Sequence, residues 1–163
     1  MPTGSPKARS AILVAVLATS ILCACGLGRP PSDAAMIEHF RRERPAFDDL
    51  AEMVAQDRLI GHLNPDSLPA QSPEQRVRRE TYRKLFRRTG CRWFIRDEDG
   101  RIDCNVPYPM SGGGVAGTGF KGYVYSTTAP SPLRPTLDAD DGERFVDVYR
   151  HVEGSWYLSR MRI

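Results

Sequence analysis

Residues 145–163 read Phe-Val-Asp-Val-Tyr-Arg-His-Val-Glu-Gly-Ser-Trp-Tyr-Leu-Ser-Arg-Met-Arg-Ile. Phe145 to Val152 alternates as a half-buried strand does, with successive side chains on opposite faces. Glu153-Gly154-Ser155 is a turn signal, and Trp156 to Ile163 pairs back as the second arm of a hairpin. Upstream, Tyr123-Val124-Tyr125-Ser126-Thr127 is another strand. Before it lies a Gly-rich run, SGGGVAGTGFKG, over 111–122. Glycines inside such a run mark a flexible turn, or a bulged strand where another backbone comes close. Ala129 to Pro135 holds three prolines and is loop. Asp138 to Glu143 is an acidic turn. Arg92-Trp93-Phe94-Ile95 and Arg101-Ile102-Asp103-Cys104 are strand candidates around the turn signal Asp97-Glu98-Asp99-Gly100.

The chain before Cys91 follows a helical period instead. Asp33 is placed to cap a helix carrying Met36, Ile37 and Phe40. Pro45 interrupts it and starts a second helix. There Phe47, Leu50, Met53 and Val54 form a core stripe, with Asp48, Asp49 and Glu52 on the wet side. Arg58-Leu59-Ile60 is a brief strand candidate, and His62 to Gln71 is loop. Ser72-Pro73-Glu74-Gln75 opens a further helix: Ser72 caps, Pro73 takes the first helical position, and Gln75 completes a capping box. Val77, Thr81, Tyr82, Leu85 and Phe86 give that helix a narrow buried face, and Gly90 ends it. Helices followed by an antiparallel meander predict one α+β domain over 33–163. The full 163 residues suit one domain rather than two.

The N-terminus reads as an address. Lys7 and Arg9 precede an apolar run from Ala11 to Leu22, and small residues follow. That is the layout of a secretory signal peptide over 1–24. The run falls short of the ~20 residues a stable membrane-spanning helix needs, so a transmembrane anchor is the weaker alternative. Leu22-Cys23-Ala24-Cys25 resembles the lipobox of bacterial lipoproteins. The resemblance implies that Cys25 receives diacylglycerol, that cleavage falls just before it, and that the new amine is acylated. Cys23 fits less well, because Ser20 would occupy its −3 position. Gly26 is not the Asp that favours inner-membrane retention, so the resemblance implies a periplasm-facing anchor, with the outer membrane favoured. Residues 25–32 then form the lipidated cysteine and a linker. Two or three acyl chains hold a protein on a bilayer durably, at ~0.8 kcal/mol per buried CH₂.

Export leaves Cys91 and Cys104, an even pair in an oxidising compartment, which reads as a disulfide. Pairing them directly needs a loop closing around Asp97-Glu98. A tight Asp99-Gly100 turn would offset them, and the register stays open.

Catalytic and metal motifs do not assemble. Gly112, Gly114 and Gly117 match GxGxxG, but a strand follows where a nucleotide site needs a helix. There is no GxSxG elbow around Ser111 and no HExxH spacing among His39, His62 and His151. The Asp97-Asp99-Asp103 and Asp138-to-Glu143 groups lack EF-hand spacing. No catalytic residue, metal site or cofactor is therefore expected.

The basic helix is the best functional candidate. It carries Arg76, Arg78, Arg79, Arg83, Lys84, Arg87 and Arg88 against Glu74 and Glu80. Arg76, Arg79, Arg83 and Arg87 are the residues expected to meet an anionic lipid, a lipopolysaccharide phosphate or an envelope protein. The alternative is a solvated face partly neutralised by the acidic turn at 138–143. Nucleic acid is not expected, because export removes the protein from it. The whole-chain charge of +3 carries little weight: Lys7 and Arg9 leave with the signal peptide, taking 23 cations to 21 against 20 acids.

Phe120-Lys121-Gly122-Tyr123-Val124-Tyr125-Ser126, with the ending Tyr149-Arg150-His151-Val152-Glu153-Gly154-Ser155-Trp156-Tyr157-Leu158, resembles a group of small proteobacterial lipoproteins that brings no known activity. It implies the two strands and the terminal hairpin. The function expected is a non-enzymatic, membrane-anchored envelope or partner-binding role. An immunity-type inhibitor of a periplasmic toxin is one alternative. A small envelope hydrolase is another, and it would need a pocket where at least two titratable groups converge.

Overall fold

The structure is a computed structural model, and it describes residues 30–109, 118–139 and 147–161. The expected signal peptide, Cys25 and most of the expected linker, the glycines at 112–117, most of the acidic run at 138–143, Phe145 and Val146 lie outside the described residues.

Helix α1 spans Asp33–Gln56. Its cap is Ser32 rather than Asp33: the Ser32 hydroxyl accepts from the Ala35 N–H at 3.2 Å. Asp33 is the first helical residue and turns into the protein. Pro45 has no N–H to donate and crowds the carbonyl four residues back. Glu43 accordingly leaves helical geometry, at φ −102° and ψ 15°, and the expected interruption is a kink within one element. Phe40, Phe47, Leu50 and Val54 are at most 1% exposed, so the expected stripe is core.

Strand β1 is Gly61–Leu63, not residues 58–60. Arg58 holds left-handed backbone (φ 50°), which breaks an extended run over 58–60, and pairing with the next strand begins at Gly61. A 3₁₀ turn, Pro65–Ser67, is capped by the Asn64 side chain. Helix α2, Pro73–Thr89, has the capping box of Ser72 and Gln75, and Gly90 closes it at φ 71°. Its buried face is Tyr82, Leu85, Phe86 and Thr89. Val77 is 69% exposed, contrary to expectation. It lies five residues before Tyr82, roughly 140° around the helix.

Strands β2 (Trp93–Arg96), β3 (Ile102–Pro109), β4 (Thr118–Tyr125), β5 (Val148–Glu153) and β6 (Trp156–Met161) complete the sheet. Its order is β1-β2-β3-β4-β6-β5, every neighbouring pair antiparallel. Both helices cover one face, which makes the domain α+β. Phe94, Cys104, Tyr123, Trp156 and Leu158 meet the helices. The aromatic centre is tight, with Phe47 4.5 Å from Tyr123 and 5.4 Å from Trp156 between centroids. The Gly-rich run reads as a flexible turn or as a bulged strand where another backbone comes close; at Gly122, its last residue, a backbone does come close, and a Cβ there would collide with the Cys104 carbonyl.

Cys91 and Cys104 form a disulfide with a Cα–Cα distance of 5.5 Å. The ladder pairs Cys104 with Phe94, not with Cys91. Cys91 instead arrives directly from the Gly90 cap and drops onto the core face. The bridge therefore ties the end of α2 to β3 rather than crossing a hairpin rung.

Candidate functional site

Arg76, Arg79, Arg83 and Arg87 recur at spacings of three and four, so α2 presents them along one side. The fold then satisfies most of them internally. The Arg76 guanidinium donates to the Gln71 carbonyl at 3.2 Å. Arg83 donates to Asp66 at 2.6 Å, an acid carried by the 3₁₀ turn. Arg87 reaches Glu80 at 3.3 Å. On the flank, Arg88 pairs with Glu43 at 3.0 Å and Arg78 grips Asp57 through two bonds of 2.9 Å. The neutralising acids are thus Glu43, Asp57, Asp66 and Glu80. Asp138, the described acid of the 138–143 turn, binds Lys121 instead, at 2.8 Å. Among the described residues Arg79 has no hydrogen-bond or ion-pair partner.

Arg79 lines a groove of about 250 Å³ with Asp57, Leu59, Leu68, Pro69, Gln75, Arg78 and Tyr82. Leu59, just ahead of β1, and Leu68 and Pro69, in the loop from β1 to α2, supply its apolar wall. Asp57 accepts a third hydrogen bond, from the Tyr82 hydroxyl at 2.8 Å. Burial, reinforced by that bond, pushes the Tyr82 phenol well above its ordinary pKa.

The strongest electrostatic feature is elsewhere and was not foreseen. Lys121 is fully buried on β4, and the Asp33 side chain is 1% exposed. Their charged groups meet at 2.6 Å. Lys121 also donates to the Pro31 carbonyl at 2.8 Å. Asp33 further accepts from Arg150 at 2.8 Å and from the Leu137 N–H at 2.7 Å. Its own N–H donates to Asp138 at 2.9 Å. Burial alone would raise the Asp33 pKa. The bonds from Lys121, Leu137 and Arg150 outweigh it and hold the carboxyl at about 2. The cluster clasps the entering chain, β4, β5 and the 136–138 segment together.

The sheet face away from the helices carries a hollow of about 120 Å³ lined by Arg101, Asp103, Asn105, Asp147 and Ser159, among others. Arg101 pairs with Asp103 at 3.0 Å and donates to the Tyr149 hydroxyl at 2.7 Å. Burial raises the Asp103 pKa despite Arg101. These groups converge, as a hydrolase would require, but Arg101 binds them to one another.

The three histidines stay apart. His39 bonds the Thr89 carbonyl at 3.1 Å, His62 lies beside Trp93, and His151 bonds the Gly154 carbonyl at 3.0 Å. Among the described residues no group of three or more metal-ligating side chains converges. None of their helices is long and apolar enough to cross a membrane.

Fold and site together define a small α+β domain with a clasped entry and a groove that holds one paired guanidinium, Arg78, and one without a partner among the described residues, Arg79. Comparisons with family models, curated proteins and solved structures return no match.

Proposed function

We propose that this chain is a lipid-anchored, periplasm-facing binding protein of the bacterial envelope, with no catalytic role. The observation that carries the reading is Leu22-Cys23-Ala24-Cys25, seven residues ahead of the domain. The clasp at the domain's entry supports it. A tether transmits force to wherever it joins the fold, and this chain joins at Pro31 and Asp33, both held by a buried cation. Residues 26–32 reach at most about 25 Å when extended, so the domain would stay close to its bilayer. Gly26 after the cysteine favours the outer membrane.

Metabolic labelling with a fatty acid tests the anchor. The wild-type chain is expected to take label and to fractionate with membranes. Cys25→Ala is expected to lose the label. Label retained by Cys25→Ala would place the lipid elsewhere and refute this assignment.

A further inference from the structure

The two ends of α1 differ in character. Its 24 residues extend roughly 35 Å along their axis. The N-terminal end holds the clasp. Helix α2 runs back alongside, because its Arg88 meets Glu43 while its Arg78 meets Asp57 at the far end. The Arg79 groove therefore lies at the end remote from the tether.

Inside the groove the charges are nearly spent. Asp57 is saturated by Arg78 and Tyr82. The Gln75 side-chain oxygen accepts from the N–H groups of Gln71 and Ser72, at 2.9 and 3.1 Å. What remains is one guanidinium, Arg79, against the apolar wall of Leu59, Leu68 and Pro69. A guanidinium matches a carboxylate bidentately. A single cation balances one negative charge and leaves a doubly charged phosphate undercompensated. The volume of about 250 Å³ lies below the range for drug-sized ligands.

We propose that this groove binds a small soluble carboxylate with an apolar body, its acid group on Arg79 and its apolar part on Leu59, Leu68 and Pro69. That the ligand is soluble rather than a headgroup of the bilayer rests on the anchored reading above. A tether at the clasp end points the groove away from the membrane.

The test uses the full chain in nanodiscs of zwitterionic lipid, with hexanoate as probe and calorimetry as readout. Saturable hexanoate binding is expected, with hexylamine and hexanol silent. Arg79→Gln is expected to weaken binding at least about tenfold, the loss of one charge-assisted contact. Arg79→Lys is expected to keep part of it. Both variants should melt as wild type does, because Arg79 holds no other group. Binding that is unchanged in Arg79→Gln, or no saturable binding, would overturn the proposal. So would competitive displacement of hexanoate when phosphatidylglycerol is added to the nanodisc, since the groove would then face the bilayer. The mass of the same preparation reports lipidation separately, so failure of the anchor and failure of the groove are read independently.

Discussion

Lys121→Ala is expected to destabilise the domain by about 3–5 kcal/mol, read as a lower denaturant midpoint with an unchanged slope. The size follows from what the substitution leaves behind. Asp33, with its side chain 1% exposed, would lose the ammonium 2.6 Å away and remain a buried, under-compensated carboxylate. The Pro31 carbonyl would lose its donor as well. Replacing Asp33 and Lys121 together by Leu and Met should cost less than either single change, because the two buried charges leave together and the partners left behind, Arg150 and Asp138, are 31% and 43% exposed and can be hydrated. A Lys121→Ala variant as stable as wild type would refute the clasp. The pH dependence has a definite sign. Asp33 is held at about 2 in the fold against an ordinary 3.8. Its contribution, about 2 kcal/mol, is full above roughly pH 5 and drains away as pH falls towards 2. Asp33→Asn should remove that acid-side slope along with the stability.

Loss of the disulfide is the second large effect. The bridge closes a separation of 13 residues, and the chain-entropy relation gives about 3 kcal/mol for such a loop. Both cysteines are buried, at 6% and 1% exposure, so native protein should resist reductant. The double variant Cys91→Ala/Cys104→Ala should melt about 10 °C lower than wild type. The unfolded wild-type chain, titrated without reductant, should yield no thiol from these two positions. Free thiols there, or an unchanged melting temperature, would contradict the bridge or its contribution.

Local chemistry made much of this fold legible in the sequence. The capping box at Ser72 and Gln75, the Gly90 stop and the turn at Gly154 are decided within a few residues, and each stands where its residue types place it. Pro45 gave the kink for the same reason, since a missing N–H is a local fact. What stayed hidden depends on long-range company. Asp33 reads in the sequence as the helix cap itself, and only the fold shows Ser32 in that place and Asp33 facing Lys121. One signal was available: Lys121 shares strand parity with Tyr123 and Tyr125, so a core-facing strand carries a lysine that must find carboxylates. The cations of α2 show the same limit. Their stripe can be read from the spacing, but Glu43, Asp57 and Asp66 come from other elements. Of the four arginines in the expected stripe, Arg79 alone is without a partner among the described residues. Val77 shows that an apolar residue near the stripe need not share its face: it stands about 140° around α2 from Tyr82 and is exposed.

The anchor at Cys25 is the claim on which the functional reading depends. The most direct measurement is the mass of the protein extracted intact from its native envelope, with the N-terminal peptide sequenced by fragmentation. The expected chain begins at Cys25 and carries a diacylglyceryl group on sulfur and an acyl group on the new amine. A chain that keeps residues 1–24, or one that begins at Cys25 with an unmodified thiol, would contradict it.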